Sequence, residues 1–210
     1  MDIRIQNATK IIAGATILND VTLNLHSGMV YGLQGVNGSG KTMLMRLIAG
    51  LIRPNSGAVY IDDKRLGKDM DFPDSLGMLI ENPAFLPGYT GFQNLKLLAQ
   101  IKATIHDDEI KQVLQDVGLY PSDPRKFRKY SLGMKQRLGI AAAIMEQPQL
   151  LLLDEPTNAL DKEGTKRICE IIDRERCRGA LIVLTCHDSA ILQEISDEIF
   201  TVDGGRVEKR

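Results

Sequence analysis

Gly35-Val36-Asn37-Gly38-Ser39-Gly40-Lys41-Thr42 is the stretch that decides the fold. It fits the pattern G-x-x-x-x-G-K-[ST]. It follows a short apolar run, Met29 to Leu33, and opens a segment, Thr42 to Ala49, with Leu44, Leu47 and Ile48 on one helical face and Gly50 as its stop. That strand–loop–helix setting is what the pattern requires, because glycines let the backbone curl until successive N–H groups point inward at phosphate oxygens. Lys41 supplies a point charge for the β- and γ-phosphates, and Thr42 offers a hydroxyl to Mg2+. Gly35, Asn37, Gly38, Ser39, Gly40, Lys41 and Thr42 are therefore expected to hold a nucleoside triphosphate.

An acidic partner to this loop lies further along, in Leu150-Leu151-Leu152-Leu153-Asp154-Glu155. Four consecutive leucines read as a strand buried on both faces. Asp154, leaving the end of that strand, is expected to hold Mg2+ through its water shell, and Glu155 to orient or deprotonate an attacking water. His187 follows another apolar run, Leu181 to Thr185, where a side chain from the next strand reaches toward the γ-phosphate; His26 and His106 read as structural or solvated.

A second serine-glycine turn, Tyr130-Ser131-Leu132-Gly133-Met134-Lys135-Gln136-Arg137, opens a helical run that stops near Pro148. In a chain that already has one phosphate-binding loop this turn is redundant, unless a nucleotide is gripped by two chains.

Outward from these motifs the pattern alternates. Ile3 and Ile5, and then Val21, Leu23 and Leu25, recur at period two, which predicts strands before the glycine loop. Pro54 to Gly57 is turn chemistry, and Ala58 to Ile61 reads as a strand. Leu76 to Ile80 reads as another, followed by an irregular stretch with Pro83, Pro87, Gly88 and Gly91 and by two helices, about Phe92 to Lys102 and Asp107 to Val117. A helix from about Lys162 to Arg176, a strand from Ala180 to Thr185 and a terminal hairpin with a Gly204-Gly205 turn complete the series. The expectation is an α/β fold of 1–210: a phosphate-loop nucleotide-hydrolase core with a mainly parallel sheet, an N-terminal antiparallel β subdomain and a helical subdomain inserted at about 82–130.

Composition narrows the partners. With 210 residues, 43% hydrophobic content and a net charge of -1, the chain suits one well-packed domain and gives no broad attraction to nucleic acid or anionic lipid. No apolar run approaches the roughly 20 residues needed to cross a bilayer, and MDIRIQNATK lacks the apolar core of a signal peptide. Cys169, Cys177 and Cys186 are odd in number and show no C-x-x-C spacing, which suits reduced thiols in a cytoplasmic protein.

Taken in order, GVNGSGKT, SLGMKQR, LLLLDEP, Asn158-Ala159-Leu160-Asp161 and His187 resemble the nucleotide-binding subunit of ATP-binding cassette (ABC) transporters, over essentially the whole chain. Among these the chain most resembles the short ATPase subunits of bacterial exporters for peptides and antibiotics. The resemblance implies ATP and Mg2+ as ligands, Glu155 as catalytic carboxylate and His187 as a switch histidine. It further implies that Ser131 and Gly133 contact the γ-phosphate of ATP bound by a second copy, with Asp161 in a loop crossing that dimer interface. By the same resemblance the lobe from Asn82 to Tyr130 docks a separate transmembrane permease, and the protein sits peripherally on the inner face of the cell membrane.

Three positions depart from the family pattern. Glu81 stands where a glutamine is usual; it brings a formal charge toward Mg2+ and resembles a variant of lantibiotic self-protection exporters. Ile11 or Ile12 stands near the position expected to stack an aromatic on adenine. Leu132 and Met134 replace the usual glycine and glutamine of the signature turn. The rival reading is a soluble ABC-type ATPase serving cofactor assembly or another non-transport role, and co-purification with a polytopic membrane protein separates the two.

Overall fold

Ile3 and Ile5 alternate with exposed neighbours along β1 (Asp2–Ile12), and Leu18, Val21, Leu23 and Leu25 do so along β2 (Ala15–His26); both strands thereby turn one apolar face inward. The two pair antiparallel, and β4 (Ser56–Ile61) and the two-residue β5 (Lys64–Arg65) extend the sheet in the order β2-β1-β4-β5. The computed structural model describes residues 1–81 and 83–210. Asn82, the expected first residue of the helical lobe, lies outside the described residues.

A second sheet carries the site. Its order is β10-β9-β3-β8-β7-β6, built from β3 (Val30–Gln34), β6 (Leu76–Leu79), β7 (Leu150–Leu153), β8 (Leu181–Thr185), β9 (Glu198–Asp203) and β10 (Arg206–Lys209). Only the terminal β9–β10 pair is antiparallel. β3, β6, β7, β8 and β9 run the same way, so the loops after them emerge along one edge.

The helices are α1 (Lys41–Ile48), α2 (Gly91–Lys102), α3 (Asp107–Asp116), α4 (Leu132–Ile144), α5 (Lys162–Cys177) and α6 (Ser189–Ile195). Side-chain caps start four of them. Thr90 and Gln93 form a reciprocal capping box on α2, and Ser131, Asp161 and Asp188 accept backbone N–H groups at α4, α5 and α6. α6 was not expected from the sequence, and β4 begins at Ser56, inside the stretch read as a turn.

The leucine run of β7 explains how the layers join. Leu150 and Leu152 pack with α1, β1 and β2, whereas Leu151 and Leu153 pack with α4, α5 and the helices α2 and α3. β8 divides its side chains the same way, Leu181 and Val183 to one core and Ile182 and Leu184 to the other. All four leucines of β7 are fully buried, each contributing about 1.5–3 kcal/mol over its exposed state. Two cores thus meet on opposite faces of the strand that delivers Asp154.

Candidate active site

Four parallel strands end at the site. After β3 the chain enters the glycine loop, and Gly40 at its end takes a left-handed φ of 114° as the N-cap of α1. A Cβ there would meet the Ile17 carbonyl at 3.0 Å, so glycine answers both the backbone angle and the close approach. The turn of the β9–β10 hairpin supports the loop from behind, with Gly205 N donating to Ser39 O at 3.1 Å. Lys41 Nζ donates to Gly35 O at 2.6 Å and to Val36 O at 2.9 Å, which uses two of its three N–H donors and holds the loop curled.

The end of β7 meets this loop through hydroxyls. Thr42 Oγ1 donates to Asp154 Oδ2 at 2.8 Å, and Thr185 Oγ1, from the end of β8, donates to Asp154 Oδ1 at 2.7 Å. Glu155 follows in a left-handed conformation, φ 52°. Its N–H donates to Thr185 Oγ1 at 2.8 Å, and its carbonyl accepts from Gln136 Nε2 at 2.8 Å and from Asn158 N at 3.1 Å. Its carboxylate Oε2 accepts from His187 N at 2.8 Å, while His187 Nε2 lies 3.6 Å from Oε1. Thr185 is fully buried, so its one hydroxyl fixes both acidic residues from a rigid strand end.

These residues enclose a cavity of about 520 Å³ lined by Asn37, Gly38, Gly40, Lys41, Thr42, Glu81, Asp154, Glu155 and His187, together with Ile17, Met43, Gln136 and Asn158. Nine lining residues were expected from the sequence and four were not. Gly35 and Ser39 lie behind the loop, Gly35 against Val202 O and Ser39 with a buried hydroxyl. Ile11 and Ile12 stand exposed at the end of β1 and do not line the cavity, whereas Ile17, on β2, does. Glu81 lines the cavity with its carboxylate paired to Arg46, one turn beyond Thr42 on α1. A larger cavity, about 630 Å³ between α5 and α6, is lined by none of the expected site residues, so the chemistry belongs to the smaller one.

Ser131, Gly133 and Asp161 are elsewhere. Ser131 Oγ accepts from Met134 N at 3.2 Å as the cap of α4, and Asp161 Oδ1 accepts from Gly164 N at 2.9 Å as the cap of α5. None of the three lines the cavity. The two unusual signature residues separate by burial: Leu132 is 61% exposed, and Met134 packs against the core around α4.

The thiols of Cys169, Cys177 and Cys186 are all free, and burial pushes that of Cys169 above its ordinary range. Among the described residues no helix is long and apolar enough to cross a membrane.

A curled glycine loop at a helix start, facing an Asp–Glu pair at the next-but-one strand end, defines a phosphate-loop ATPase. The model of the ABC transporter family matches residues 18–158, and the chain belongs to that family as an ATP-binding, ATP-hydrolysing component. It is 44% identical over 206 residues to the uncharacterized ABC transporter ATP-binding protein YybJ of Bacillus subtilis, covering 98% of this chain and 94% of that one. It is 35% identical to the bacitracin transport ATP-binding protein BcrA of Enterococcus faecalis (98% and 67% covered) and 34% identical to the lantibiotic transport ATP-binding protein SrtF of Streptococcus pyogenes (98% and 88%). Among solved structures it is similar to an ATP-binding subunit of an ABC transporter, with a TM-score of 0.89 at 25% identity over 100% of this chain and 90% of that one. A dimeric bacterial ABC transporter cassette gives 0.88 at 25% identity, over 98% and 96%.

Proposed function

We propose that two copies of this chain pair head to tail, each ATP lying between the glycine loop of one copy and the Ser131–Gly133 turn of the other. The pair then drives export of a peptide antibiotic or a related compound through a separate membrane subunit. The observation that carries this reading is the division of the expected site residues. Loop, Asp154, Glu155 and His187 surround one cavity, while Ser131, Gly133 and Asp161 of the same chain line no part of it. A second copy supplies what the first lacks, with the same patch used on both sides. The names of BcrA and SrtF support the choice of cargo class, and the transport names among the relatives disfavour a soluble cofactor-assembly role. Docking of the 82–130 lobe on the permease would hold the protein peripherally on the inner face of the membrane.

The residues fit Mg2+. Thr42 gives its only proton to Asp154, which leaves both hydroxyl lone pairs for a cation, beside a carboxylate oxygen. Such an oxygen set suits an ion held by one or two carboxylates together with phosphates. When bound, the ion neutralises charge developing on the phosphates. Glu81 would join it by exchanging its Arg46 partner for the metal. Lys41 keeps one N–H free for phosphate oxygens, and Ser131 keeps its hydroxyl proton for the partner's γ-phosphate. Glu155 Oε1, free of the His187 amide, would take a proton from water.

Glu155→Gln is expected to lower ATP turnover by about 10²–10⁴-fold while leaving a dimer that persists in ATP on size-exclusion chromatography. Lys41→Ala should weaken nucleotide binding and abolish that dimer. Hydrolysis by Glu155→Gln at the unmodified rate would remove Glu155 from its assigned role. Purification from membranes tests the transport arm: recovery with a polytopic subunit supports it, and recovery with soluble partners alone overturns it.

A further inference from the structure

Few polar side chains are buried among the described residues, and two of them, Thr185 and Gln136, end on the backbone of the same residue. Thr185 accepts the Glu155 N–H and Gln136 donates to the Glu155 carbonyl, each at 2.8 Å. Asn94 and Glu175 serve only local structure by comparison, one closing on the Leu86 and Thr90 carbonyls and the other pairing with Arg178 and Arg174. Glu155 is also one of the non-glycine residues with positive φ, a conformation that persists only where its surroundings over-determine it. The two hydrogen bonds hold the peptide planes on either side of its Cα, and so set the direction in which the carboxylate leaves the chain.

Gln136 comes from α4, one turn after the Ser131–Gly133 start. That helix face meets the 155–161 loop at two further points. A Cβ on Gly133 would stand 2.8 Å from Ala159 O, so glycine is what lets the turn lie against the loop. Arg137 Nη2 donates to Asp161 Oδ1 at 3.1 Å, and its Nη1 to Gly118 O at 3.3 Å. Contacts at 133, 136 and 137 fall on one face of α4, so the helix start and the loop shift together.

We propose that Gln136 is a positioning residue for Glu155: it ties the helix that begins at the signature turn to the peptide that aims the catalytic carboxylate. The inference rests on Glu155 being that carboxylate. In a head-to-tail pair the turn of one copy meets the nucleotide held by the other, while Glu155 serves the nucleotide of its own loop. Gln136 thus reports within one chain between the two ATP sites, through a carbonyl that is 19 residues away in sequence.

The test uses Gln136→Met, which keeps length and loses the donor, and Gln136→Glu, which keeps shape and sets a carboxylate against the carbonyl. Turnover, KM for ATP, Kd for a fluorescent ATP analogue, ATP-dependent dimerisation and thermal melting are measured on the purified full chain, beside Glu155→Gln. The expected result is a kcat about a hundredfold lower, the scale of a displaced catalytic group, with the glutamate variant the more affected. KM, Kd, dimerisation and melting temperature are expected to stay near wild type. Unchanged kcat in both variants overturns the proposal. So does a joint loss of kcat, binding and melting temperature in Gln136→Met, which would make the side chain a structural strut. If Glu155→Gln retains wild-type turnover, the reading of Glu155 fails first and takes this inference with it; a dead Glu155→Gln beside a fully active Gln136→Met sinks the positioning role alone.

Discussion

Thr185 shows how much one hydroxyl can organise. It gives its proton to Asp154 and takes one from the Glu155 amide, with the threonine itself fully buried. Thr185→Val keeps the branched shape of a strand residue but leaves a part-buried N–H without its partner, a loss of about 1–3 kcal/mol. Urea denaturation should register that loss, and ATP turnover should fall because both carboxylates lose a fixed support. Lys41 and Thr42 were legible in the sequence because the phosphate-loop pattern fixes their type and spacing, Asp154 and Glu155 because they end a buried leucine run, and His187 because it follows the apolar run 181–185. Thr185 and Gln136 were not: their partners are 30 and 19 residues away, and nothing in a buried threonine or glutamine announces a contact made by packing.

Among elements, α2 is hydrogen-bonded to the signature region at its first turn. The Tyr130 hydroxyl accepts the Gly91 N–H at 3.1 Å, at the first turn of α2, and the tyrosine ring packs beside Phe127. Burial pushes the phenol above its ordinary range, so it stays neutral in this role. Tyr130→Phe preserves the ring and orphans a buried helix-start donor. A stability decrease of about 1–3 kcal/mol is expected by chemical denaturation, and an unchanged midpoint would show that water replaces the phenol. The long elements were readable: period two gave β1 and β2, an apolar face with a glycine stop gave α1, and acidic residues at its start marked α3. α6 escaped because seven residues with only Leu192 buried carry no measurable periodicity, although Asp188 before Ser189 is a cap signature. The pairing of β5 likewise involves two exposed residues and leaves no pattern.

At the scale of the whole molecule, the divided site makes a prediction that no single chain can satisfy. Lys41→Ala disables the loop, and Gly133→Asp sets a negative charge where the signature turn would meet phosphate. Each variant alone should be inactive. Mixed in equal amounts they form some pairs in which one site has both lesions and the other has none, which returns about a quarter of wild-type turnover if the sites act independently. Activity no higher than the sum of the separate proteins would argue against a site shared between copies. The order of motifs suggests this arrangement in the sequence itself, since a second serine-glycine turn is redundant unless a nucleotide is gripped by two chains. Which side of the chain each motif faces was not readable, because that depends on β8 lying between β3 and β7 in the sheet.

The leucines of β7 bear on how such a device moves. Alternate side chains root the strand in two separate cores, so Asp154 and Glu155 hang from an element that cannot tilt without disturbing both. The turn at Ser131 stands instead at the tip of a helix whose apolar residues serve one core only, with Leu132 bare to solvent. The two halves of the machine are therefore unequal in stiffness, like the fixed and sliding jaws of a vice. In the proposed pair the sliding jaw does the moving, and Gln136 is the link by which that movement would reach the carboxylate of the hydrolytic jaw.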